Sequence, residues 1–215
     1  MNYKILFIDE ERAQQDIFMD YFESVCPEIV PECELPLSTI EEMLQKIEAL
    51  CPDAIVTDFQ LNDIRVDVSY AVKYNGIELI RAIRARWEDF PCFVVTSYDD
   101  DAVNSSDDVN LVYIKDILNS RYDKAKVTFA ERIIRQVDKY RSKIGEAKQK
   151  LAELIDKRNS GVANVYDESH IIELDTFLEK SLGAHDAIPR ELKELSNLKR
   201  LNELIGKVDE LLNRI

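Results

Sequence analysis

The stretch Pro52-Asp53-Ala54-Ile55-Val56-Thr57-Asp58 decides how this chain is read. A short apolar run with β-branched residues sits behind a proline and stops at a carboxylate. A run of that length and composition predicts a buried strand. Three further segments repeat the design. Lys4-Ile5-Leu6-Phe7-Ile8 stops at Asp9-Glu10-Glu11, Pro91-Cys92-Phe93-Val94-Val95-Thr96-Ser97 ends in hydroxyls, and Leu111-Val112-Tyr113-Ile114-Lys115 ends in a cation. A fifth, proline-bounded segment from Pro27 to Pro36 carries Ile29, Val30 and Cys33 and reads as a short strand.

Helical periodicity fills the gaps between these runs. Ile17, Phe18, Tyr21, Phe22 and Val25 recur at helical spacing over residues 12–25. Ile40, Met43, Leu44, Ile47 and Leu50 do the same behind Ser38 or Thr39, either of which can cap, with Glu41 and Glu42 in the first turn. Gly76 precedes a third set, Ile77, Leu79, Ile80 and Ile83. Apolar strands alternating with amphipathic helices predict an α/β fold around a mostly parallel sheet. Such sheets bind ligands outside the carboxyl ends of their strands. Those ends carry Asp9, Glu10, Asp58, Thr96 and Lys115.

The residue types at that edge are chemically complementary. Clustered carboxylates repel one another and hold protons more tightly unless a cation joins them. Magnesium takes oxygen ligands in octahedral geometry and usually keeps some waters. Asp9, Glu10, Asp58 and a backbone carbonyl would supply such a site. A carboxylate can attack phosphorus to form an aspartyl phosphate. The metal, the Lys115 ammonium and the Thr96 hydroxyl would then compensate the phosphoryl oxygens.

Composition narrows the remaining classes. The chain has 215 residues, and 46% of them are apolar, enough to bury a core. With 5 Gly and 6 Pro it is not of low complexity. No apolar run is long enough to cross a membrane. The N-terminus MNYKILFIDEE is too short in apolar residues and too acidic for a signal peptide. A cytoplasmic location without membrane attachment is therefore expected. Cys26, Cys33, Cys51 and Cys92 show no CxxC spacing and sit in or beside apolar runs, so buried free thiols are expected. Charge is divided unevenly. Residues 1–125 hold 11 basic and 26 acidic residues, whereas residues 126–215 hold 17 and 16. An acidic first region attracts divalent cations or basic partners and repels nucleic acid.

The runs ILFIDEE, PDAIVTDFQL, NGIELIRAIR, VVTSYDDDA and VYIKD, in that order, resemble the receiver domains of two-component response regulators. The resemblance covers about residues 2–120. It implies a five-stranded doubly wound, flavodoxin-like fold, magnesium dependence, phosphotransfer from a histidine kinase or phosphotransfer protein, and slow self-hydrolysis. An enzyme acting on other substrates is not implied. Carried over residue by residue, Asp9 and Glu10 match the acidic metal pair and Asp58 the phosphoacceptor. Gln60 would lend its backbone carbonyl to the metal. Thr96 matches the switch hydroxyl and Lys115 the family's lysine. A phosphatase of related chemistry would need a second Asp where Gln60 stands.

Several features depart from that family. Gly76 lies 18 residues after Asp58, so the intervening loop has gained about ten residues. Asp116, not proline, follows Lys115, and Val112 holds the place of the switch aromatic, with Tyr113 one position later. The segment Tyr98 to Asn110 is acidic and Ser-rich, which predicts a stunted helix there. Within the long loop, Ile64, Val66, Val68, Tyr70, Val72 and Tyr74 alternate with polar residues. That period of two predicts extended structure with one apolar face. It suits either a flap beside the site, or an edge for a partner strand, or a packed surface excursion with no role.

The last ninety residues predict helices. Ala130, Ile133, Val137, Tyr140, Ile144, Ala147, Leu151 and Leu154 form an a/d-type seam, which Asn159-Ser160-Gly161 should stop. Residues 171–182 predict a short amphipathic helix, and Pro189 opens a second seam from Leu192 to Ile215. The expected division is a receiver over 1–125 and an all-α, coiled-coil-like extension over 126–215. Output by protein association and homodimerisation through the extension is expected. DNA-directed or enzymatic output is the alternative, although Lys126 to Arg158 intersperse 5 acidic with 10 basic residues and nucleic acid is not an expected partner. His170 and His185 are the only histidines, and neither has the surroundings of a phosphotransfer histidine.

Overall fold

The computed structural model describes residues 2–61, 72–97, 112–118 and 127–182. It contains β1 (Tyr3–Ile8), α1 (Arg12–Val25), β2 (Ile29–Glu34), α2 (Ile40–Leu50), β3 (Ala54–Asp58), α3 (Gly76–Arg86), β4 (Cys92–Thr96) and β5 (Val112–Ile114). A 3-10 turn over Lys115–Leu118, α4 (Phe129–Asn159) and α5 (Val165–Leu182) follow. The alternating loop over 62–71, the acidic stretch 98–110, His185 and the seam from Leu192 to Ile215 lie outside the described residues.

The five strands form one parallel sheet in the order β2-β1-β3-β4-β5. This is the doubly wound α/β architecture expected, with its direction of winding reversing beside β1. From β1 the chain steps outward to β2, then crosses back past β1 to β3. Right-handed crossovers then require α1 on one face and α2 and α3 on the other. The burial of alternate residues agrees. Tyr3, Ile5 and Phe7 of β1, Ala54 and Val56 of β3, and Phe93 and Val95 of β4 belong to one core with Phe18, Tyr21 and Phe22 of α1. Phe7 and Phe18 stack there with ring centroids 4.2 Å apart. Leu6, Ile8, Ile55 and Val94 point the other way and are fully buried.

Local chemistry explains the helix boundaries. Thr39 caps α2 with a reciprocal box: its hydroxyl accepts from the Glu42 amide at 3.2 Å, and the Glu42 carboxylate accepts from the Thr39 amide. Asn75 and Glu78 form an equivalent box at the start of α3, both bonds 2.9 Å long. Gly161, at φ +71, terminates α4 as expected. Helix α5 begins six residues earlier than its apolar spacing indicates. Asn164 accepts from the amides of Tyr166 and Asp167, and Asp167 accepts from the Asn164 amide, so the cap sits upstream of the amphipathic stretch. The cysteines are free, but only Cys92 is buried; Cys26 and Cys33 are half-buried and Cys51 is exposed. Short apolar runs misled there, because Cys51 sits in a left-handed conformation at the end of α2, outside its apolar face.

The chain divides into two compact units, Met1–Ala85 with Asp89–Arg141, and Arg86–Glu88 with Ser142–Ile215. In the first unit, Phe129, Ala130, Ile133 and Val137 of α4 are at most 1% exposed and belong to the same core as β1 and α1. Phe129 packs against Phe93 and Tyr113, with centroids 5.8 and 5.1 Å away. Further along α4, Asp138 accepts from the Tyr3 hydroxyl at 2.9 Å, and Arg141 pairs with Asp53 at 2.6 Å. In the second unit, Ala147, Leu154, Ile171, Ile172 and Leu178 are buried. Arg158 pairs there with Glu168, Lys157 with Asp167, and the Lys143 ammonium lies 4.4 Å from the Phe177 ring centroid. Among the described residues, no helix is long and apolar enough to cross a membrane.

Burying one large apolar side chain is worth about 1.5–3 kcal/mol, against a total domain stability of about 5–15 kcal/mol. Removing Phe129, Ile133 and Val137 together would therefore consume much of that total. A fragment ending at residue 125 is expected to unfold without a cooperative transition, whereas one ending at 141 should melt cooperatively. Thermal unfolding followed by circular dichroism distinguishes the two, and cooperative melting of the shorter fragment would contradict this account of the core.

Candidate functional site

Each candidate residue sits where a strand ends. Asp9 and Glu10 follow β1, Asp58 closes β3, Thr96 closes β4 and Lys115 follows β5. The register β1–β3 pairs Ile8 with Thr57, and β3–β4 pairs Asp58 with Val95, so these ends lie side by side. They flank the point where the winding reverses, which is where such sheets open a crevice. Asp9, Glu10, Asp58 and Thr96 are all buried, the last at 2% exposure.

One carboxylate oxygen from each of Asp9, Glu10 and Asp58 lies within 4.8 Å of the others. Lys115 Nζ approaches Asp9 Oδ2 at 2.9 Å and Asp58 Oδ1 at 3.1 Å. The other oxygens are also held. Asp9 Oδ1 accepts from the Glu11 amide at 2.8 Å, and Asp58 Oδ2 accepts from the Gln60 amide at 3.2 Å. Gln15, buried on α1, donates Nε2 to the carbonyls of Asp9 (2.8 Å) and Glu34 (3.2 Å) and so fixes the turn after β1. Gln15 is absent from the expected set. Its signal is a polar residue three and seven places before Phe18 and Phe22, on the apolar stripe of α1.

Burial dominates the electrostatics. It pushes the Asp9 carboxyl from an ordinary 3.8 up to about 6, opposed by Lys115 and reinforced by Asp58. Burial likewise lifts Glu10 from 4.5 to about 7, with the Asp9 and Asp58 charges adding to it. Asp58 is raised for the same reason, against the pull of Lys115 and the backbone amides. For Lys115, burial favours the neutral amine, but the Asp58 and Asp9 charges outweigh it and hold the ammonium more firmly protonated. One ammonium facing three crowded carboxylates leaves negative charge uncompensated. All-oxygen hard donors with that excess suit a small divalent cation such as Mg2+.

The remaining candidates fall elsewhere. The Gln60 amide donates to Asp58 Oδ2, which places the Gln60 backbone beside the acceptor. Tyr113 packs among Phe93 and Phe129, on the core side of β5. His170 is exposed in the second unit, along an open groove of about 390 Å3 shared with Lys143, Lys150 and Phe177. Val72 and Tyr74, the last apolar residues of the long loop's alternation, are both buried while Lys73 is exposed.

No protein-family model and no curated protein matches the sequence. Among solved structures, the chain is similar to the receiver domain of the stress response regulator RcsB from Escherichia coli (15% identity, 58% of this chain and 90% of that one, TM-score 0.44). It is similar to the receiver domain of a putative response regulator, NarL, from Mycobacterium tuberculosis (15% identity, 54% and 85% covered, TM-score 0.37). RcsB from Salmonella enterica serovar Typhimurium, bound to a promoter in the presence of the phosphomimetic BeF3-, also matches (14% identity, 92% and 98% covered, TM-score 0.43). The strand order observed here is the one that the doubly wound fold expected from the sequence requires.

The raised carboxyls have a signed consequence. Between about pH 4 and pH 7 the folded chain holds protons that the unfolded chain has released. Stability from these groups is therefore present at low pH and lost as pH rises through about 6 and 7. A shift of this size corresponds to on the order of 3 kcal/mol per group. Without divalent cations, resistance to urea should fall from pH 5 to pH 8, and Mg2+ should stabilise far more at pH 8 than at pH 5. Urea titrations at both pH values, with and without Mg2+, measure this; equal Mg2+ effects would contradict it.

Proposed function

We propose that this chain is a response-regulator-like signalling protein in which Asp58 accepts a phosphoryl group from the phosphohistidine of a histidine kinase or phosphotransfer protein. The observation that carries this reading is the placement of Lys115 between Asp9 and Asp58, at 2.9 and 3.1 Å, beside a third buried acid. An isolated buried carboxylate needs one counter-charge. This edge gathers more negative charge than its own ammonium balances, and that surplus has a purpose where a cation and a phosphoryl group meet.

Asp9, Glu10, Asp58 and the Gln60 carbonyl would hold Mg2+, which supplies charge compensation to phosphoryl oxygens when bound. Asp58 uses one carboxylate oxygen to form the new bond to phosphorus. The phosphorus–nitrogen bond to the donor imidazole breaks, and its electron pair stays on that ring. Lys115, already within reach of Asp58 Oδ1, would follow the developing charge onto the phosphoryl oxygens. Thr96, at the end of the neighbouring strand, would donate its hydroxyl to another of them. Hydrolysis of the resulting acyl phosphate returns Asp58 to a carboxylate, so the chain catalyses only its own phosphorylation and dephosphorylation.

The added charge, about two units at neutral pH, would be read through protein association of the C-terminal helices, in a homodimer or with a partner. DNA-directed output is the competing reading. It draws on the basic excess of residues 126–158, although Asp138, Glu153 and Glu168 already engage Tyr3, Lys150 and Arg158.

Incubation with acetyl phosphate and Mg2+ should add one phosphoryl group, detected as a mass increase of the intact protein. Asp58→Asn should abolish the adduct and Lys115→Met should slow its formation at least tenfold. An equal adduct on Asp58→Asn would overturn the acceptor assignment.

A further inference from the structure

An insertion of about ten residues directly after a catalytic strand should loosen the backbone that presents the acceptor. The chain instead returns to the site under tight control. Leu61, where it leaves, is fully buried, and Val72 and Tyr74, where it returns, are 9% and 4% exposed. The Tyr74 hydroxyl donates to the Leu37 carbonyl at 2.8 Å. Leu37 is itself anchored, because the next two residues belong to the capped start of α2: Ser38 donates to the Glu42 carboxylate at 2.6 Å, and Thr39 completes the box.

From Tyr74 the constraint continues toward the acceptor. Asn75 caps α3 through its reciprocal bonds with Glu78. The Gly76 amide donates to the Phe59 carbonyl at 2.9 Å, and the Phe59 amide donates to the Val95 carbonyl at 3.0 Å. Gly76 also presses on the acceptor itself. A Cβ at that position would overlap the Asp58 carbonyl oxygen, so only glycine permits the approach. The backbone from Asp58 to Gln60 is thus clamped between β4 and the first residue of α3. What aligns that residue is the five-residue strap Val72–Gly76, with Tyr74 as a polar anchor outside α3.

We propose that Tyr74 is a positioning residue of the phosphoacceptor site. Its hydroxyl bond to Leu37 fixes the strap, the strap fixes Gly76, and Gly76 fixes the Asp58–Gln60 backbone that faces the cation. This rests on the reading of the site given above. The inserted loop therefore acts on the site through its foot, independently of what residues 62–71 do. A part-buried carbonyl deprived of its partner relaxes toward water or another donor, and that motion is transmitted along a strap only five residues long.

Tyr74→Phe keeps the ring and deletes the bond. Two measurements on the full chain test it. Titration with Mg2+ alone, followed by amide resonances, should show binding about three- to tenfold weaker than wild type. Exchange of the Gly76 amide should be accelerated by a similar factor. Tyr21→Phe is the control, since it removes a comparable hydroxyl, 3.4 Å from the Ala130 amide, on the α1 face of the sheet. It should leave Mg2+ affinity and Gly76 exchange unchanged. If Tyr74→Phe matches wild type in Mg2+ affinity, or Tyr21→Phe weakens it equally, the positioning role is overturned. A wild type that binds no Mg2+ overturns the reading of the site and this inference with it, and Gly76 exchange in Tyr74→Phe then reports separately whether the strap exists.

Discussion

Three carboxylates crowded at one sheet edge and removed from water set the terms for the rest of this molecule. Asp9, Glu10 and Asp58 are all at most 4% exposed. Left alone, such a group would protonate or drag the strand ends apart. Each surrounding feature answers that cost. Lys115 supplies a cation to two of the acids. The Glu11 and Gln60 amides each cap one oxygen. Gln15 ties the turn after β1 to the end of β2, which keeps Asp9 from swinging outward. A fold optimised for stability alone would place apolar residues or a matched ion pair there, which marks this edge as the candidate for function.

Much of this was legible in the sequence, because parallel strands announce themselves. A strand buried on both faces reads as an unbroken apolar run, and the residue that ends it is the one exposed at the crevice. Asp58 and Asp9 were readable for that reason, and Lys115 and Thr96 followed once the strands were counted. Other parts depend on contacts between distant residues and leave weak local traces. Gln15 looks like one more polar residue in a helix until Phe18 and Phe22 show that it shares their face. The start of α5 is set by an Asn164–Asp167 box that precedes any apolar spacing. Tyr74 belongs to an alternation that suits several structures, and its hydroxyl meets the Leu37 carbonyl, a partner 37 residues away in sequence.

The long helix α4 was legible as a seam continuing the last helix of the α/β region, but which of its turns pack on the sheet was not. Periodicity shows that one helix continues from Phe129 to Asn159; it cannot show which turns face a sheet. Two features set its first turns apart. Phe129 closes an aromatic cluster with Phe93 and Tyr113. Tyr3 and Asp53 at the amino ends of β1 and β3 then hold Asp138 and Arg141, with Arg141 lying over the Tyr3 ring at 5.1 Å. The helix is thereby fixed along the whole depth of the sheet, from the Lys115 side to the opposite edge.

That arrangement bears on how a chain with a nonstandard β4–β5 region could use its acceptor. Tyr113 stands two residues before Lys115, and its ring is packed on Phe129. It is half-buried and packed against the core, so its ring cannot move inward without displacing Phe93 or Phe129. Lys115, by contrast, sits in the charged edge and would move with any phosphoryl group placed on Asp58. A three-residue strand therefore joins the acidic site to a ring packed against the first residue of α4. On the function proposed here, the helix itself, more than a mobile surface aromatic, is the part of this protein suited to report phosphorylation.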